Sequence, residues 1–284
     1  MDSARSIAFS LVIPAFNEAG RLPAFLASAT AHLSARYPDA FEIVVVDDGS
    51  DDDTAGVAAA HPGPIRVLRL PQNCGKGAAV RAGMLAARGA LRLFADADGA
   101  TPIAEELRLV AALEAGHDLA VGSRTAPGGT RRWVLGGRAR HDARDGAVVW
   151  QVRLHRHWSE RLFARLVTRL TGVPVGDTQC GFKLFRDYAA LVLFPLVRCD
   201  GYAFDVELLA LARQLDLRTA EVAVCWREMP GSKVRLVRDV LRMLADVREI
   251  RRRTAAVVAT AALPPPPPPR ATPEWYEIPA RKAG

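Results

Sequence analysis

Residues 93–102 read LFADADGATP. A short apolar run stops at Asp96-Ala97-Asp98, and a glycine and Thr101-Pro102 follow. A buried strand that ends this way aims two carboxylates at one spot, where like charges repel. Either a cation sits between them or the stretch is a solvated turn.

The run belongs to a series. SLVIP (10–14), EIVVVDD (42–48), IRVLRL (65–70), LRLFAD (91–96) and DLAVGS (118–123) are rich in β-branched and apolar residues. Between them RLPAFLASATAHL, KGAAVRAGMLAA and EELRLVAALEAG carry helical spacing. Strand–helix alternation of this kind predicts an α/β fold, a mostly parallel sheet with helices on both faces. Such sheets bind ligands beyond the carboxyl ends of their strands. The polar residues just after each run are therefore the ones to watch: Asn17-Glu18, Asp47-Asp48, Asp96 with Asp98, and Ser123-Arg124.

From 125 to 165 the alternation breaks into a Gly-, Arg- and Trp-rich stretch, long for a connection and read as a functional loop. A helix is expected up to Thr171, then GDTQCGFKLF (176–185), a helix over FDVELLALARQL and a late strand in LRTAEVAVCW. RLVRDVLRMLADVREIRRR (235–253) has amphipathic helical spacing with arginines on its polar face. That helix either lies at an anionic membrane surface or packs on the core with its arginines in water. Six prolines at 264–269 favour an extended segment, and 254–284 is read as a flexible tail. One domain is expected over residues 8–253, with a basic loop at 226–234.

A chain of 284 residues with a net charge of +7 suits anionic partners such as nucleotide phosphates or an acidic membrane. A nucleic-acid role would rest on charge alone, since no recognition module is visible. The four cysteines lack CxxC spacing, which argues against zinc and for free thiols in a reducing compartment. No secretory signal is evident, and AAVVATAAL (255–263) is far short of the roughly 20 residues that span a bilayer. The expected location is cytoplasmic, with peripheral contact at the cytoplasmic membrane face as an option.

Asp-x-Asp at the end of a central strand suits Mg²⁺ or Mn²⁺, which takes one or two protein carboxylates and fills its other positions with phosphate oxygens and water. An isolated Asp-x-Asp is more often a solvated loop, so its company decides. VIPAFNE (12–18), VVVDDGSDDDT (44–54), NCGKGAAVRAG (73–83), DADGATP (96–102) and GSR (122–124) follow one another in this order. The succession resembles the inverting family 2 glycosyltransferases of GT-A fold. DTQCGFKLF (177–185) is similar to the branch that makes lipid-linked sugars, closer to dolichyl-phosphate β-glucosyltransferases than to mannose synthases.

The resemblance implies a role for each matching position. Pro14, Phe16 and Glu18 would touch the nucleoside, with Val46 and Asp48 at the base. Lys76, in a Gly-Lys-Gly helix start whose bare N–H groups favour an anion, would meet phosphate. Asp96 and Asp98 would hold the metal and diphosphate, with Ala97 near the nucleotide and Arg124 on phosphate or sugar. Arg227 and Lys233 would form the basic pair of a late lid that stabilises the leaving diphosphate. Asp177 would be a general base or a positioning group. Gln179 and Lys183 would face the acceptor.

The activity implied is inverting transfer of a sugar, glucose from UDP-glucose first, to a polyprenyl phosphate. GDP-mannose as donor, or a soluble acceptor, are the alternatives.

Overall fold

The computed structural model describes residues 7–124, 126, 130–133, 149–152, 175–227, 229, 246–247, 249–254 and 276–278. The expected helix up to Thr171, most of the 125–165 loop, Lys233 and residues 235–245 lie outside the described residues.

Four parallel strands form one side of the sheet: β1 (Phe9–Ala15), β2 (Phe41–Asp47), β3 (Ile65–Arg69) and β4 (Leu91–Ala95), in the order β3-β2-β1-β4. Their side chains alternate between two apolar layers. Phe9, Leu11, Ile13, Ile43 and Val45 pack with α1 (Leu22–Arg36), which supplies Leu22, Phe25, Leu26 and Leu33. Val12, Val44 and Val46 face the other way onto Val80 and Met84 of α3 (Lys76–Ala86). A short α2 (Thr54–Ala59) lies between them in sequence, and α4 (Glu106–Glu114) adds Leu109 and Leu113 to the first layer. Burial on both faces explains why β1 and β2 are mostly apolar, with Ser10 bonded to Glu42 across the pair; each fully buried large side chain contributes about 1.5–3 kcal/mol.

On the other side of the sheet lie β5 (Leu119–Ser123), β8 (Phe182–Arg186) and β9 (Thr219–Ala223). β8 enters between β4 and β5 and runs antiparallel to both, while β5 and β9 are parallel. Its first residues therefore sit at the same sheet end as the last residues of β4 and β5. Two helices follow, α5 (Asp187–Leu193) and α6 (Phe204–Gln214), the latter supplying Phe204, Leu208 and Leu211 to the α3 layer.

Two further pairings involve segments read as loop or tail. β6 (Thr130–Trp133) and β7 (Val149–Val152) form a separate parallel pair. β10 (Tyr276–Ile278), within the segment taken as a flexible tail, pairs antiparallel with β3 at the sheet edge. An open edge offers a row of unpaired N–H and C=O groups, so three residues can join it without a core-forming pattern. At residues 246–254, Val247 and Ile250 are fully buried in the α3 layer and Arg251 and Arg252 are exposed. That end of the amphipathic segment packs on the core.

Pro14 shows how the sheet opens. β1 pairs with β4 only as far as Val12↔Phe94, whereas its pairing with β2 continues to Ala15↔Asp47. The missing proline N–H therefore falls where β1 has already parted from β4. From β1 the chain goes on to β2 on one side of this pair and from β4 to β5 on the other, and a reversal of strand order of this kind is where α/β sheets offer a crevice to ligands.

Gly77 lets the segment before α6 close over the start of α3. Its N–H donates to Asp200 O at 2.7 Å, and a Cβ there would run into the carbonyl oxygen of Cys199. Because the obstacle is backbone, Gly77→Ala is expected to destabilise the fold by about 1–3 kcal/mol despite the better helix propensity of alanine. A urea unfolding midpoint equal to that of the wild type would contradict this packing.

Candidate active site

The β4 turn is the centre. Asp96 N–H donates to Gly181 O at 3.1 Å, Gly99 adopts a left-handed conformation with φ of 64°, and Ala100 N–H donates to Asp98 Oδ1 at 3.0 Å. Both carboxylates are partly exposed, Asp96 at 38% and Asp98 at 27%. Burial, and then repulsion from Asp96, push the Asp98 carboxyl above its ordinary value. A pair that resists carrying two charges suits a cation. Hard oxygen donors suit Mg²⁺ or Mn²⁺, and among the described residues no cluster of three or more ligating side chains occurs. Such an ion would keep most positions for phosphate and water. The donor set fits it.

Gly181 makes the turn possible, because a Cβ there would collide with the Asp96 carboxylate. A glycine just ahead of an apolar run is a sign of close backbone approach. CGFKLF (180–185) carries that sign.

Protein cations stand beside both carboxylates. Lys76 Nζ lies 2.6 Å from Asp96 Oδ1. Burial would lower the Lys76 pKa, but Asp96 and Asp205 outweigh it and raise it. Arg21, at the start of α1, donates to Glu18 at 2.7 and 2.5 Å and turns Nη1 to 4.0 Å from Asp98 Oδ2. Sequence reasoning missed Arg21, although its place three residues after Glu18 permits the pair. The expectation of bare N–H groups at the α3 start is corrected: Gly77 and Ala78 both donate to Asp200 O, and Gly75 donates to Asp48. The Lys76 side chain remains as the anion-seeking group.

The nucleoside side is formed by the ends of β1 and β2. Asn17 has a φ of 53°, and its backbone N–H and side-chain oxygen bond to Ser50 Oγ and Asp51 N at 2.9 and 2.8 Å. Glu18 N–H donates to Thr54 Oγ1 at 2.8 Å. These bonds tie the loop after β1 to the loop after β2 and fix the backbone at Asn17 and Glu18. The Asp48 carboxylate accepts from Cys74 N and Gly75 N at 2.7 and 2.9 Å. Val46 needs correction. Its side chain is fully buried against α3, so any base contact must come from its backbone. Ala97 is likewise buried, in the α1 layer.

On the other side, Arg124 follows β5 and binds Asp177 through Nε and Nη2, each at 2.8 Å, while its backbone N–H reaches the same carboxylate at 2.8 Å. Burial would raise the Asp177 pKa, but Arg124 outweighs it and holds the carboxyl below the usual range. A carboxylate so engaged positions Arg124; it is a poor proton acceptor. The Arg124 guanidinium also lies over the Trp226 ring at 5.2 Å. Glu221 of β9 accepts from Ser123 Oγ at 2.6 Å and from the Gly176 and Asp177 N–H groups at 3.0 and 3.2 Å, fixing the loop beneath. Arg227 N–H donates to Ala100 O at 2.9 Å, which brings the late basic segment against the β4 turn.

Gln179 and Lys183 part company. Gln179 Nε2 is buried without a hydrogen-bond partner among the described residues, a donor in want of an acceptor. Lys183, expected to face an acceptor phosphate, is fully buried instead; it pairs with Asp205 and donates to Cys180 O at 2.7 Å. Alternation along β8 turns it inward, toward the Phe94 ring 5.2 Å away. Asp205 and Glu221 were missed; Glu221 is the one carboxylate of AEVAV (220–224), and Asp205 shares FDVELLALA (204–212) with Glu207, and carboxylates among apolar residues signal a polar partner.

Two measurements follow. Asp205→Asn leaves the Lys183 charge uncompensated and is expected to cost about 3–5 kcal/mol, with most of it recovered in Asp205→Leu/Lys183→Met; urea unfolding of both variants reports it. Burial, despite the two N–H bonds, raises the Asp48 pKa from 3.8 to about 6. The folded state thus holds this proton more tightly than the unfolded chain, a contribution complete below about pH 4 and lost as the pH rises through about 6. Wild type should therefore lose on the order of 2 kcal/mol relative to Asp48→Asn across that window; parallel curves for the two proteins would count against it.

The chain matches the family described as Glycosyl transferase family 2 over residues 10–194. A dolichyl-phosphate beta-glucosyltransferase of Saccharomyces cerevisiae is 36% identical over 253 residues, covering 86% of this chain and 74% of that protein. One from Drosophila melanogaster is 39% identical over 243 residues, covering 82% and 71%. Among solved structures, mannosyl-3-phosphoglycerate synthase from Rubrobacter xylanophilus superposes with a TM-score of 0.59 at 22% identity, covering 93% of this chain and 79% of that one. Glucosyl-3-phosphoglycerate synthase from Mycobacterium tuberculosis, solved with Mn²⁺, UDP-glucose and phosphoglyceric acid, gives 0.55 at 18%, covering 88% and 80%. These two share the GT-A fold with this chain. The strand order, the crevice and the carboxylate turn thus meet in one assignment: the chain belongs to glycosyl transferase family 2.

Proposed function

We propose that this glycosyltransferase moves glucose from UDP-glucose to dolichyl or another polyprenyl phosphate, with inversion at the anomeric carbon. The observation that carries the reading is the set of relatives named as dolichyl-phosphate beta-glucosyltransferases, 36–39% identical over most of the chain. UDP-glucose is inferred from that shared glucosyl transfer.

The chemistry is one displacement. An acceptor phosphate oxygen forms a bond to the anomeric carbon, and the bond from that carbon to the donor diphosphate breaks, its electron pair leaving with UDP. The attacking phosphate is already ionised near neutral pH, so no strong base is needed. This agrees with an Asp177 that is held by Arg124. Asp177 positions, and Arg124 and Arg227 supply charge at the side where the diphosphate leaves. Lys76 binds phosphate from the α3 start. Glu18 and Asp48 hold the nucleoside, and Gln179 offers its unpaired amide to sugar or acceptor. Lys233 completes the basic pair with Arg227. A divalent ion held by Asp96 and Asp98 would supply Lewis-acid stabilisation of the departing diphosphate.

No helix among the described residues is long and apolar enough to cross a membrane. A lipid acceptor would therefore be met through peripheral contact, for which the basic, Trp-containing 125–165 region is the candidate surface.

The test is transfer of labelled glucose from UDP-glucose to dolichyl phosphate in detergent with Mg²⁺ or Mn²⁺, with GDP-mannose as the control donor. Asp98→Ala is expected to lose about 10²–10³-fold in rate. Lipid product from GDP-mannose alone would overturn the donor, and UDP-glucose hydrolysis without lipid product would overturn the acceptor.

A further inference from the structure

We infer that Lys76 and Arg21 are exchangeable counter-ions of the Asp96/Asp98 pair, so that a divalent cation binds this site far more tightly together with a nucleoside diphosphate than alone. The inference rests on the reading of Asp96 and Asp98 as metal ligands and adds a role for Arg21.

The geometry is specific. Lys76 Nζ is 2.6 Å from Asp96 Oδ1, on one of the two carboxylates that would hold the ion. Arg21 Nη1 is 4.0 Å from Asp98 Oδ2, while Ala100 N–H takes the other oxygen, Oδ1. Two metal-type carboxylates thus face two protein cations, and Arg21 also serves Glu18, so the cluster of Asp96, Asp98 and Glu18 with Lys76 and Arg21 is one formal charge short of neutral. A divalent cation arriving alone must share those oxygens with an ammonium and a guanidinium and meets their repulsion. With a nucleoside diphosphate the balance differs. Its oxygens offer Lys76 and Arg21 new acceptors at the moment Asp96 and Asp98 turn to the ion.

Both cations are placed to change partner without leaving. Of the backbone donors around Lys76, those of Gly75, Gly77 and Ala78 are taken by Asp48 and Asp200, so the flexible side chain is the part that can move. Asp205 keeps attracting Lys76 when Asp96 is engaged elsewhere. Arg21 stays anchored through Nε and Nη2 to Glu18, with Nη1 toward Asp98. Binding of ion and diphosphate is then reciprocal, since each raises the affinity of the other by the same factor.

The experiment titrates Mn²⁺ into wild type, Lys76→Met, Lys76→Arg and Arg21→Gln, with and without saturating UDP, and reads bound ion by electron paramagnetic resonance. Mn²⁺–UDP association in solution is subtracted. In wild type UDP should tighten Mn²⁺ binding at least about tenfold. Lys76→Met should bind Mn²⁺ alone more tightly than wild type, by about three- to tenfold, and show weaker coupling to UDP. Arg21→Gln should move the same way by less, given the longer distance, and Lys76→Arg should behave as wild type. Structural damage would weaken Mn²⁺ binding, so the gain is the diagnostic sign. Equal Mn²⁺ affinity with and without UDP in wild type, or no gain in both neutral variants, overturns the counter-ion role while leaving the metal site standing. No bound Mn²⁺ in any sample that still binds UDP removes the metal reading and this inference together.

Discussion

Two carboxylates one residue apart at the end of a buried strand repel, and much of the molecule is arranged around that repulsion. The Asp96 backbone is tied to Gly181, the Asp98 side chain to Ala100, and the two charges face Lys76 and Arg21. Gly181, Lys76 and Arg21 come from three separate parts of the chain, and Arg227 N–H donates to Ala100 O from a fourth, so the β4 turn is a meeting point of α1, α3, β8 and the segment after β9. Its geometry holds only if the whole sheet end is formed.

The antiparallel β8 does most to bring this about. Running against β4 and β5, it delivers residues 177–181 to the ligand end of the sheet and sends its own side chains into the core. One motif is thereby split between two roles. Asp177, Gln179 and Gly181 lie at the ligand end of the sheet, and Phe182, Lys183, Leu184 and Phe185 are fully buried. The Lys183–Asp205 pair is a structural device, a buried charge satisfied by one carboxylate of α6 and one carbonyl. Isolated buried ions are costly and must be paired. Glu221, half-buried on β9, collects three donors below the Arg124–Asp177 pair.

Basic residues divide by what they already hold. Arg124 is committed to Asp177 and Trp226, which orients it and limits its reach. Lys76 has a long, mobile stem and a partner that a metal ion could take over. Arg21 is fixed on Glu18 and meets Asp98 only at the edge of ion-pair distance. Positive charge at this sheet end thus exists in rigid and exchangeable forms, a division suited to a ligand that must be bound and then released in pieces.

The five early strands and three long helices were legible because their periods are imposed locally: β-branched runs buried on both faces, then apolar residues at helical spacing. The metal-type pair Asp96 and Asp98, the position of Asp48 and the placement of Arg124 after β5 were legible for the same reason, since they are the first polar residues after strands. Local pattern could not say that β8 runs antiparallel between β4 and β5, because strand order and direction depend on pairing between distant segments. That one topological choice turned Lys183 into the core, put Gly181 against Asp96 and joined Asp205 to the ion network. Nor could it reveal that Asp200 O caps α3 or that β10 adds to the sheet edge, contacts between segments far apart in the chain. The sequence by itself determined which elements form and which carboxylates end them; only the tertiary structure decided which charges neutralise one another, because that depends on distances between residues far apart in the chain.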